Sequence, residues 1–84
     1  SFADFDTNNN ANKDIKVYVA KERDFSIDPA SGSIVFHGRD KNGQVVKIPA
    51  PPTFSMDQIK GAETVTLRGH LHKDYFHASE LILE

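Results

Sequence analysis

The chain has 84 residues, 38% hydrophobic and 26% charged, with a formal net charge of −2 and no cysteine. That length holds one small domain, because a second core would need roughly 50 more residues, and the missing cysteines exclude disulfide scaffolds and thiolate zinc sites. The longest apolar stretches, such as Ile34-Val35-Phe36, fall far short of the roughly 18–20 residues that span a bilayer, no export signal is expected in this stretch, and ten basic against twelve acidic residues, mixed along the chain, give no broad positive field for nucleic acid.

Residues 1–14 hold four Asn and three Asp around Phe2 and Phe5, and read as a polar lead-in that pins its two rings onto a core formed by residues 15–84. From Ile15 the β-branched Ile15, Val17 and Val19 alternate with Lys16, Tyr18 and Ala20, the period of a first strand. Phe25 to Ser33 carries Asp28-Pro29 and Ser31-Gly32 punctuation and is expected to be a loop. Ile34 to Arg39 then runs into Asp40-Lys41-Asn42-Gly43, whose Asn-Gly pair predicts a hairpin back through Gln44 to Ile48.

Pro49, Pro51 and Pro52 lack backbone donors, so sheet pairing is expected to stop at Ile48. Ser55 can cap a helix of one to two turns that carries Asp57 in its first turn, faces Phe54, Met56 and Ile59 inward and ends at Gly61. Val65 to Leu71 and Tyr75 to Ala78 alternate on either side of Lys73-Asp74 as a second hairpin. With Leu71 opposite Phe76, Gly69, Leu71, Phe76 and Ala78 share the core face, and His70, His72, Tyr75 and His77 share the other. Five strands with a short helix between the third and fourth match a five-stranded Greek-key barrel, the OB-fold, in preference to an open sandwich with long edges. Gly38 and Gly69 sit where a small barrel must bend its strands.

His70, His72 and His77 are the trio whose spacing permits zinc or copper, two at i, i+2 and one across the hairpin. The expectation is that they are surface histidines and that no metal site is present, because only Asp74 stands near as an orienting carboxylate. His37 is expected on the barrel surface. Asp28, Asp40, Asp57 and Asp74 fit turns and caps better than an acid/base pair, and no glycine-rich phosphate loop occurs, so no catalytic residues and no enzyme activity are expected. An alternative function is single-stranded nucleic-acid binding through Phe36, Arg39, Lys41 and Lys47; a third is a bare protein-interaction barrel.

The strand Ile15-Lys16-Val17-Tyr18-Val19, the stretch from Phe36 to Gly43, the Pro49-Ala50-Pro51-Pro52-Thr53-Phe54 crossover and the closing Val65-Thr66-Leu67-Arg68-Gly69 with Tyr75-Phe76-His77-Ala78-Ser79-Glu80-Leu81-Ile82-Leu83 carry a family likeness. Over Ile15 to Glu84 the chain resembles the CcmE family, the periplasmic haem chaperones of cytochrome c maturation. The resemblance implies an OB-fold domain on the periplasmic side of the bacterial inner membrane, held by an N-terminal anchor. It also implies haem as cofactor, with apocytochromes c and maturation membrane proteins as partners and no nucleic acid. The family's covalent attachment residue, a His or Cys followed by a Tyr, would fall just after Glu84, so weak or no haem affinity is expected for residues 1–84 and none of the four histidines is its counterpart.

Overall fold

The computed structural model describes residues 1–7 and 11–84, leaving residues 8–10 of the lead-in outside the described residues. Period-two alternation builds strand β1 (Lys13–Val19), which buries Ile15, Val17 and Val19 and turns Lys16 and Tyr18 outward. The strands that follow are β2 (Ser26–Ile27), β3 (Ile34–Arg39), β4 (Val45–Pro49), β5 (Thr64–Leu71) and β6 (Phe76–Leu83), with helix α1 (Met56–Gly61) between β4 and β5. One edge of β3 pairs with β4, while the other pairs with β2 at its start and β1 at its end; β1 continues to β5 and β5 to β6, all antiparallel. The sheet curls until β4 lies against β6, although among the described residues no ladder joins that seam. With the two-residue β2 set aside as an edge addition, the remaining five strands form the OB-fold, an all-β Greek-key barrel with a short helix after the third of them, β4, here open along one side.

The barrel is filled by Val17, Phe36, Ile48, Val65, Leu67 and Phe76, joined by Phe2 and by Ile59 of α1, all 1% exposed or less. Burying a side chain of this size contributes on the order of 2–3 kcal/mol, the main source of stability in a chain without cross-links. Phe2 sits in a short 3-10 turn (Phe2–Asp4) and meets Phe76 at 6.1 Å between ring centroids, and Phe5 meets the same ring edge-on at 5.3 Å. The lead-in thus pins both rings onto the core, as its composition suggested.

Turn chemistry decides the local shape. Gly43 takes φ +83° in the Asn42-Gly43 turn, and its N–H donates to the Asp40 carbonyl. Ser55 caps α1 by accepting the Gln58 N–H at 3.2 Å, and the Gln58 side chain returns a bond from the Ser55 N–H at 2.8 Å.

Two expectations need correction. Ser26 and Ile27 are not loop: a tight turn, with the Asp28 N–H donating to Ser33 and the Gly32 N–H to Asp28, folds them back against Val35 and Ile34. Pairing does not stop at Ile48, since Pro49 opposes Val35 and the Ala50 N–H reaches the Ile34 carbonyl at 2.7 Å. An edge strand tolerates proline because its missing donor faces away from the ladder. Beyond the Tyr75 to Ala78 stretch read from the sequence, β6 continues to Leu83, and its alternation breaks on the way. Arg68 pairs with Glu80 and Gly69 with Ala78, so Ser79 is an extra residue in a β-bulge whose hydroxyl donates to the Arg68 carbonyl at 3.0 Å.

Candidate functional site

The outer face of β1, β5 and β6 gathers most of the chemistry in ordered rows. Cross-strand register sets them: Tyr18 beside Thr64, then Lys16, Thr66 and Ile82, then Asp14, Arg68 and Glu80, then His70 opposite His77. Opposed residues share a face, so each row presents its side chains to the same side. At one end Tyr18 and Ile82 are 55% and 58% exposed, two of the three large hydrophobic residues exposed among the described residues. Glu84 lies between them, its carboxylate 3.4 Å from the Lys16 ammonium and 3.2 Å from the Thr66 hydroxyl. Arg68 and Asp14 form the next link at 3.1 Å.

At the other end of this face stand His70, His72 and His77, as the register reading expected. Their ring centroids are 4.6 Å apart for His70 and His72, 5.0 Å for His70 and His77, and 6.2 Å for His72 and His77. Tyr75 stacks on His72 at 4.6 Å with the planes 17° apart. Partial burial, reinforced by the neighbouring His70 and His72, pushes the His77 imidazole below its ordinary 6.5. The His77 ring therefore favours its neutral form.

The structure does not bring the other candidates to this site. His37 lies on β3 opposite Lys47, and its Nδ1 is shielded from solvent without a hydrogen-bond partner among the described residues. Phe36 is fully buried, so it cannot stack on a base, and Arg39 forms an ion pair with Glu22. Lys41 and Lys47 are exposed. Asp28 accepts the Ala30 N–H at 3.0 Å inside its turn, and Asp57 stands in the first turn of α1. Asp40 is 3% exposed and accepts backbone N–H groups from Phe2, Asn42 and Gln44. Burial pushes its carboxyl up, and the three donors outweigh that and hold it below the ordinary value.

The exposed Tyr18 and Ile82 were not singled out by sequence reasoning. Ile82 lies in an apolar run whose phase depends on the bulge at Ser79. Without that extra residue, strict alternation from Phe76 would bury Glu80 and Ile82 and expose Leu81. No pocket opens among the described residues. In comparisons with known proteins, no family model, curated protein or solved structure matches the chain.

Proposed function

We propose that this domain is the barrel of a haem carrier that delivers haem to apocytochromes c on the periplasmic side of the bacterial inner membrane. The observation that carries the reading is the exposed Tyr18 and Ile82 on either side of Thr64, Thr66 and Glu84. An exposed aromatic ring and an exposed aliphatic chain on an outer strand face give a porphyrin apolar contacts beside the Lys16–Glu84 pair, and an open surface lets it leave again, as a carrier requires. The sequence likeness over Ile15 to Glu84 and the OB topology support the same reading. In this proposal covalent attachment belongs to a His or Cys following Glu84, and the barrel supplies only the resting face.

Haem titration followed by visible absorption tests the proposal, using the domain together with the native residues after Glu84. Ile82→Glu and Tyr18→Asp should each weaken haem uptake several-fold, because they put charge on the proposed resting face. Uptake unchanged by both substitutions would remove this face from the proposal.

A further inference from the structure

The β5–β6 hairpin ends in three imidazoles that leave the same face of the sheet. His70 is opposite His77, and His72 follows two residues along from His70, where its N–H still bonds the Tyr75 carbonyl at 2.8 Å. Two imidazoles bound to one tetrahedral ion, with metal–nitrogen distances of about 2.0–2.1 Å, hold their ring centres about 5 Å apart. The observed separations of 4.6, 5.0 and 6.2 Å bracket that value. The backbone therefore already places three rings at the spacing that a shared ion requires.

The nitrogens themselves do not yet converge, and among the described residues no group of three or more His, Cys, Asp or Glu side chains is arranged to hold a metal ion. The terminal torsion of histidine is broad, so each ring can turn about it. Nδ1 of His70 is shielded from solvent and has no hydrogen-bond partner among the described residues, so turning this ring breaks no bond there at that atom. Tyr75, stacked on His72, supports that ring from one side. On the same face Arg68 is occupied by Asp14, which limits its repulsion of an incoming cation.

We propose that His70, His72 and His77 form a binding site for one divalent first-row transition ion, with the fourth position open to water or an exogenous ligand. Three imidazoles select Zn2+, Cu2+ or Ni2+ over Mg2+ and Ca2+, which require oxygen donors. The site lies at the far end of the outer face from Tyr18 and Ile82 and does not depend on the haem reading.

The test is titration of the unmodified chain with Zn2+ at neutral pH, by calorimetry and by NMR of the imidazole side chains. One ion should bind per chain, with the signals of His70, His72 and His77 shifting together while His37 stays unmoved. His72→Gln and His77→Gln should each weaken binding at least about tenfold, the scale on which even the outer partners of a metal ligand act, and His37→Gln should leave it unchanged. Absence of binding at millimolar Zn2+, binding that survives both ligand substitutions, or shifts that include His37 would overturn the proposal, and the spectra of the unmodified chain decide it even where a variant fails to fold.

Discussion

The carboxylate of Asp40 accepts the backbone N–H of Phe2 at 2.8 Å, joining positions 38 residues apart. Its other oxygen accepts the Asn42 and Gln44 N–H groups at 3.0 and 2.9 Å. One buried side chain therefore closes the β3–β4 turn and holds the segment that delivers Phe2 to the core. Asp40→Ala strands three donors and should cost about 2–4 kcal/mol, read as a lower urea midpoint. Asp40→Asn keeps one acceptor oxygen and should cost less.

The same group sets an acid limit. Its carboxyl is held below the ordinary 3.8 in the folded chain, so the unfolded chain binds the proton more readily. The stabilisation is fully present above the unfolded value and is lost as pH falls through the lower folded one. Urea midpoints measured from neutral pH downward should fall more steeply in this acid range for the natural chain than for Asp40→Asn.

His77 acts in the same direction at milder pH. Its imidazole is depressed below 6.5 by burial and by His70 and His72, so protonation favours the unfolded chain. Stability should fall as pH drops through 6.5 toward the folded value, in chelated buffer. His77→Gln should flatten that part of the profile.

A methyl group on Gly69 would stand 1.8 Å from the His77 carbonyl oxygen, and one on Gly38 would stand 2.7 Å from Ile48 Cδ1 and Val17 Cγ2. The first obstacle is backbone fixed by the β5–β6 ladder and the second is the ends of side chains. Gly69→Ala should cost at least about 3 kcal/mol, and Gly38→Ala about 1–3 kcal/mol. Thermal melts of the two variants check the order; equal losses would mean that the bulge region can give way.

The fold was legible wherever a local signal and the hydrophobic period agreed. Alternation placed β1, Asn42-Gly43 placed the β3–β4 hairpin, Ser55 placed the start of α1, and pairing Leu71 with Phe76 put three histidines and Tyr75 on one face. What escaped were contacts that depend on distant partners. Ser26 and Ile27 become a strand only because β3 folds back on them, and Pro49 keeps its place because β4 is an edge. The bulge at Ser79 leaves no mark in composition, yet it decides that Leu81 is buried and Ile82 exposed. The apolar half of the candidate face was thus hidden in the sequence, while the histidine half could be read from register.

Haem titration of residues 1–84 beside the same domain carrying its native continuation after Glu84 tests the central claim most directly. The account predicts a distinct Soret shift and denaturant-resistant haem retention in the longer form only, abolished when the His or Cys of the continuation is replaced. Failure of both forms to take up haem, with salt-dependent binding of single-stranded DNA or RNA in its place, would contradict it.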